Sequence, residues 1–184
     1  MNVFSKKLLY LSLVFIAFFS GTPIVSAKEI GYIPSEQNAS GQAPGGGHFR
    51  FVLNPNERFK RFAVRHGKRI DGFQFFVDRP GLQGRWYPLA GGTGGSEDSW
   101  IISTRECLVR VSGTYDVSHK SPRPRIFSLQ FHLHNGVSSR LFGKNGKHNF
   151  VLSAPNGEEI VGFFGKEGAE LDAIGIVTAP SACN

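Results

Sequence analysis

Within residues 126–134 the chain alternates strictly from Phe127 onward. Phe127, Leu129, Phe131 and Leu133 are apolar, and Ser128, Gln130, His132 and His134 between them are polar. Successive side chains on a strand point to opposite faces, so this period of two predicts a half-buried strand. Residues 70–77 repeat the pattern, with Asp71, Phe73, Phe75 and Val77 on one side. Shorter β-type runs lie at 59–65, 99–104, 107–112 and 150–153. Turn residues punctuate them: Arg79-Pro80-Gly81, the glycines of 91–95, Asn135-Gly136, Asn145-Gly146 and Asn156-Gly157. No segment carries the 3.6-residue period of an amphipathic helix. Short strands at near-regular spacing predict an all-β domain.

The N-terminus follows a different pattern. Lys6 and Lys7 precede an almost unbroken apolar run over 8–19, and Val25-Ser26-Ala27 offers small residues at a cleavage position. Residues 1–27 therefore read as a secretory signal peptide and the mature protein as secreted. The run is short for a bilayer span, which needs about 20 residues, so no stable membrane insertion is expected. Residues 28–44 are polar and read as a flexible leader, 45–179 as the folded domain and 180–184 as a C-terminal tail. Asn38-Ala39-Ser40 is a glycosylation sequon, relevant in a eukaryotic secretory pathway.

Composition and charge narrow the chemistry. The 17 phenylalanines divide between the apolar N-terminal segment and the strand-forming region, where they are the material for a core. The formal charge of +7 becomes +5 once Lys6 and Lys7 are removed, still a balance that favours polyanions. Cys107 and Cys183 are free to pair in an oxidising compartment, but their separation along the chain does not place them together. His132 and His134 share a strand face, yet no third metal ligand has recognisable spacing, so they read as residues of a solvated face and no metal or other cofactor is expected. No nucleophile elbow, zinc-protease helix, Walker loop or Cys-x-x-Cys is present, and the few acids read as surface charge. The chain is expected not to be an enzyme.

One stretch carries more information. Residues 161–175, Val-Gly-Phe-Phe-Gly-Lys-Glu-Gly-Ala-Glu-Leu-Asp-Ala-Ile-Gly, resemble the final strand–loop–strand of the jacalin-related lectins. Residues 65–71 resemble that family's early strand turn, 91–95 its glycine loop, and 106–113 the strand that follows. The triple glycine after a secretory leader is similar to that of secreted single-domain members of zymogen granules. The resemblance spans about 45–178. It implies a β-prism I fold: three four-stranded antiparallel sheets around a pseudo-threefold axis. It also implies carbohydrate binding without a metal. The first site would combine Gly45, Gly46 and Gly47 with Gly168, Ala169, Glu170 and Asp172. Glycine lets backbone approach a sugar ring closely, and a carboxylate accepts strongly from two hydroxyls. Glu170 beside Asp172 counts against a neutral sugar. Gly67 and Asp71, with Gly91 and Gly92, form the corresponding second candidate. Gly94 and Asp98 share the same spacing, and we read that pair as coincidence. Because Gly45 is internal to the chain, the resemblance implies mannose- or glucose-type specificity rather than galactose.

Arg50, Arg58, Lys60, Arg61, Arg65, Lys68 and Arg69 crowd one part of the chain. Charge runs usually mark a solvated face. The alternative partner is a sulfated or otherwise anionic glycan on a face built from Arg61, Arg65, Lys68 and Arg69, with binding that weakens as salt rises. No nucleic-acid motif accompanies these cations, so nucleic acid is not an expected partner. Oligomerisation would add avidity, but no residue pattern specifies it.

Overall fold

A computed structural model describes residues 27–34, 44–103, 105–118 and 121–183. The signal segment before Ala27 and the Asn38 sequon lie outside the described residues. Among those described, the regular structure is all strand: β1 (Lys28–Ile33), β2 (Gly47–Val52), β3 (Arg58–His66), β4 (Ile70–Arg79), β5 (Leu82–Trp86), β6 (Ala90–Gly91), β7 (Ser96–Ile101), β8 (Leu108–Ser118), β9 (Ser121–Leu133), β10 (Phe142–Gly143), β11 (His148–Ser153), β12 (Glu158–Glu167) and β13 (Leu171–Pro180). No helix among them is long and apolar enough to cross a membrane.

The strands form three antiparallel sheets, ordered β1-β13-β12-β2, β10-β9-β8-β11 and β5-β4-β3-β7, with the two-residue β6 added against β4. Each sheet is built around one long hairpin: β12–β13, β8–β9 or β3–β4. This is the β-prism expected from the resemblance. The core lies where the three hairpins face one another. Phe62 of β3, Phe131 of β9 and Phe163 of β12 each have no exposed surface, and each comes from a different sheet. Phe62 stacks on Phe131 with centroids 4.3 Å apart, and Phe163 meets Phe62 edge-on at 5.9 Å. Such pairs add about 0.5–1.5 kcal/mol each beyond the apolar area they bury.

Two details depart from the sequence pattern. Residues 28–33 are not part of a flexible leader. They form β1, an edge strand paired with β13 from Lys28 opposite Thr178 to Ile33 opposite Ile174. Period-two reading missed β1 because its glycine and two charged or polar positions mask the alternation. In β9, Tyr115 pairs with Ile126 and Thr114 with Ser128, so Phe127 is an extra residue in a bulge. The bulge breaks the expected alternation: Ile126 is buried and Phe127 only half-buried. Ser128 is buried too, satisfied by the Thr114 hydroxyl at 2.7 Å.

Cys107, just before β8, and Cys183 in the C-terminal tail are joined in a disulfide. The loop between β2 and β3 is fixed by Glu57, whose carboxylate is 3% exposed. It accepts from the Asn54 N–H at 2.9 Å, the Tyr87 hydroxyl at 2.6 Å and Arg85 Nε at 3.0 Å.

Candidate functional site

The turn of the β12–β13 hairpin is closed by the Gly168 N–H, which donates to the Glu170 carbonyl at 3.0 Å. The β3–β4 turn repeats this, with the Gly67 N–H donating to the Arg69 carbonyl at 3.1 Å. Each hairpin then carries a bulge at the same place. Lys166 pairs with Ala173 and Glu167 with Leu171, which leaves Asp172 extra. Arg65 pairs with Gly72 and His66 with Ile70, which leaves Asp71 extra. A bulge re-aims the side chain of the extra residue. This explains why Asp71 does not join Phe73 and Phe75 in the core.

Asp172 is turned toward the glycine run. Pairing of β2 with β12 sets Gly47 opposite Glu167, which holds Gly46 and Gly45 beside the hairpin end. Gly46 adopts φ +77°, and a Cβ there would lie 2.0 Å from the Glu167 carbonyl oxygen and 2.8 Å from Asp172 Oδ2. Both the backbone angle and the close approach require glycine at this position. A Cβ on Gly168 would lie 3.9 Å from the same Oδ2. Asp172 Oδ2 therefore sits in a cradle of backbone between Gly46 and Gly168. Its side chain is only 5% exposed.

The other oxygen, Oδ1, is held by Arg125 Nε at 2.9 Å. Arg125 also reaches Glu170 Oε2 at 3.2 Å, while Arg69 pairs with the other oxygen of Glu170. Glu170 is thus flanked by two guanidiniums, and the adjacent negative charges expected from the sequence are compensated. Arg123 lies against Gly45, where a Cβ would meet its Nη1 at 2.7 Å, and Lys166 Nζ donates to the Pro44 carbonyl at 3.4 Å. Burial pushes the Asp172 carboxyl above the ordinary aspartate range. Arg125 opposes that shift, Glu170 adds to it, and Arg123 and Lys166 oppose it. Sequence reasoning missed Arg123 and Arg125. Their one signal was the alternation Pro122-Arg123-Pro124-Arg125, which sets two cations on one side of an extended segment.

The second group of residues also converges, though differently. The Asp71 carboxylate faces Gly94 and Gly95, where a Cβ would lie 2.8 Å from Oδ1 and 2.5 Å from Oδ2 respectively. Gly91 and Gly92 instead follow the backbone. The Gly92 N–H donates to the Asp71 carbonyl at 2.8 Å, and the Gly91 N–H donates to the Glu167 carboxylate. Gly92 packs so closely on Ala169 that a Cβ would come 2.3 Å from its carbonyl oxygen. The two candidate loops are therefore neighbours, joined by Gly92 against Ala169 and by the Arg69–Glu170 ion pair. Gly94 and Asp98 do not act together, since Asp98 pairs with His66 at 2.9 Å and with Arg140.

The four cations of the expected basic face are mostly engaged within the fold. Arg61 donates to Ser99 Oγ at 2.7 Å and lies over the Trp86 ring. Arg65 donates to the carbonyls of Thr93, Gly94 and Gly95 and pairs with Glu97, which pins the glycine loop. Arg69 holds Glu170, and Lys68 is exposed at the turn. His132 does not lie on a solvated face. It is buried between the hydroxyls of Ser112 and Ser138, each at 2.7 Å. His134 pairs with Glu106 at 3.3 Å. Among the described residues, Cys107, Glu159 and Cys183 cluster as metal-ligand types, but both sulfurs are bonded to each other.

Comparison with known proteins agrees with this geometry. The family model described as a jacalin-like lectin domain matches residues 25–177. Horcolin of Hordeum vulgare is 32% identical over 136 residues, which cover 73% of this chain and 91% of that protein. Jacalin-related lectin 4 of Arabidopsis thaliana is 31% identical over 87 residues, 47% of this chain, and the match spans only 12% of that longer protein. The structure of artocarpin with mannopentose superposes with a TM-score of 0.65 at 25% identity, covering 73% of this chain and 91% of that one. With a prism of three sheets, paired hairpin bulges and a family match over most of its length, this chain belongs to the jacalin-like lectin domain family.

Proposed function

We propose that the protein is a secreted lectin that binds mannose- or glucose-type sugars without a metal. The binding site is the cradle of Gly45, Gly46 and Gly47 against Gly168, Ala169, Glu170 and Asp172. The observation that carries this reading is the placement of Asp172 Oδ2 between the backbones of Gly46 and Gly168. A carboxylate oxygen set among backbone groups accepts from a sugar hydroxyl, and charge-assisted bonds of this kind are the stronger class. The N–H groups of Ala169 and Glu170 donate to neighbouring sugar oxygens. The similarity to artocarpin, solved with mannopentose, supports a mannose-type ligand. The loop of Asp71 repeats the hairpin bulge and supplies a second site, lined by Gly94 and Gly95.

A salt-dependent polyanion site on Arg61, Arg65, Lys68 and Arg69 is the less favoured reading, because three of these guanidiniums already hold internal partners. A glycan array at low and high salt distinguishes the two. Retention that survives salt and is competed by methyl α-mannoside is the expected result. Retention that collapses with salt and ignores mannoside would replace this reading with the anionic one. Asp172→Ala is expected to abolish mannoside binding, and unchanged binding would show that the site lies elsewhere.

A further inference from the structure

We infer that Arg125 is the positioning residue of the Asp172 site. This rests on the proposed sugar-binding role of that site. Arg125 lies on β9, in a different sheet from Asp172 and Glu170, so no local turn chemistry brings it there. Its Nε spans both carboxylates, at 2.9 Å from Asp172 Oδ1 and 3.2 Å from Glu170 Oε2. The guanidinium is 17% exposed and the two carboxylates 5% and 16%, so the interaction is shielded from water rather than screened on the surface.

Three consequences follow from this contact. First, Arg125 divides the labour of the Asp172 carboxylate. Oδ1 is fixed by the guanidinium, and Oδ2 is left facing the glycine cradle as the acceptor for ligand. A carboxylate with one oxygen fixed cannot rotate its acceptor away, so its geometry is set before ligand arrives. Second, Arg125 opposes the upward shift that burial gives the Asp172 carboxyl. The groups facing that carboxylate are Arg125 and Arg123 from β9, Lys166 from β12 and Glu170 from the hairpin turn, while the Glu167 carboxylate is turned to the Gly91 N–H. Burial and Glu170 favour the protonated acid, whereas Arg125 opposes them more than Arg123 or Lys166 does. Third, together with Arg69 it ties Glu170 down as a strut between the two hairpin turns. Arginine suits this place because its Nε–H lies between the two carboxylates while Nη1 donates to the Pro124 carbonyl, fixed directions that a lysine ammonium does not offer.

The test compares Arg125→Ala and Arg125→Lys with the wild-type chain by calorimetric titration of methyl α-mannoside from acid to neutral pH. Asp172 is titrated in parallel by the carboxyl carbon shift in ligand-free protein. In Arg125→Ala, mannoside affinity at neutral pH should fall roughly 10- to 100-fold, the scale of a lost hydrogen bond to a charged group. Binding requires the ionised acid, so it fails as Asp172 protonates. The acid limb of binding and the ligand-free titration of Asp172 should therefore both move to higher pH. Arg125→Lys restores the charge but not the Nε–H between the two carboxylates. It should return both midpoints toward wild type while affinity recovers only in part. A merely structural role would lower affinity without moving the Asp172 titration. Wild-type affinity and an unmoved Asp172 titration in Arg125→Ala would overturn the inference. Absence of mannoside binding by the wild-type chain would overturn the sugar-site reading itself, and this inference with it.

Discussion

Replacing the three consecutive glycines one at a time by alanine should give three different results. At Gly46 the backbone has φ +77°, where a Cβ costs about 1–2 kcal/mol. The new methyl would also stand 2.0 Å from the Glu167 carbonyl oxygen and 2.5 Å from its carbon. Ordinary carbon contacts are about 3.5 Å, so one of the two chains must shift by more than about 1 Å. Glu167 cannot yield easily because it is paired with Gly47 on one side and Leu171 on the other. Overpacking of this kind adds about 1–3 kcal/mol. The total of about 2–5 kcal/mol corresponds to a fall in Tm of about 4–20 °C for a domain of this size. The glycine loop moves away from Asp172 Oδ2, and if the cradle is the sugar site proposed above, mannoside affinity should fall at least ~10-fold. At Gly47 nothing lies within 4 Å of a Cβ, so alanine should be neutral or stabilising by up to about 1 kcal/mol. At Gly45 the obstacle is the end of the flexible Arg123 side chain, 2.7 Å away, and the effect should be intermediate. Thermal unfolding followed by circular dichroism, with mannoside titration of each variant, checks the order. Equal melting of the Gly46 and Gly47 variants would refute the reasoning.

Two further outcomes concern the scaffold. Phe163→Ala removes the ring that meets Phe62 and Phe131 at the prism axis, and should cost about 3–5 kcal/mol by denaturant unfolding. A much smaller loss would mean that the axis does not depend on this interlock. Burial pushes the Glu57 carboxyl up, but hydrogen bonds from Arg85, Tyr87 and Asn54 outweigh it and hold the group at about 2, below the ordinary 4.5. A carboxyl depressed in the folded state contributes stability that is present above the ordinary value and lost as pH falls toward 2. Glu57→Gln should therefore be less stable than wild type at neutral pH, and the gap should narrow in acid unfolding between about pH 4.5 and 2. A gap independent of pH would contradict this.

The all-β class and several strands were legible because alternation is a local property. Phe73, Phe75, Leu129 and Phe131 point inward as their spacing predicts. β13 was not legible that way, since Leu171 through Thr178 are buried on both faces and no alternation survives. The sequence also marked Asp71 and Asp172 as a repeated pattern after glycine. It could not show why they matter geometrically, because a bulge is a property of two paired strands and not of either one. Nor could it distinguish among Gly45, Gly46 and Gly47, whose demands depend on Glu167 and Asp172, more than a hundred residues away. The charge around the site was the least readable feature. Glu170 beside Asp172 looked like excess negative charge, and Arg69 like part of a basic surface. Folding brings Arg69 and Arg125 from two other sheets onto Glu170, and Arg125 onto Asp172. Ion pairing at short range depends on distance and burial, which are fixed only when the three sheets close around their common core.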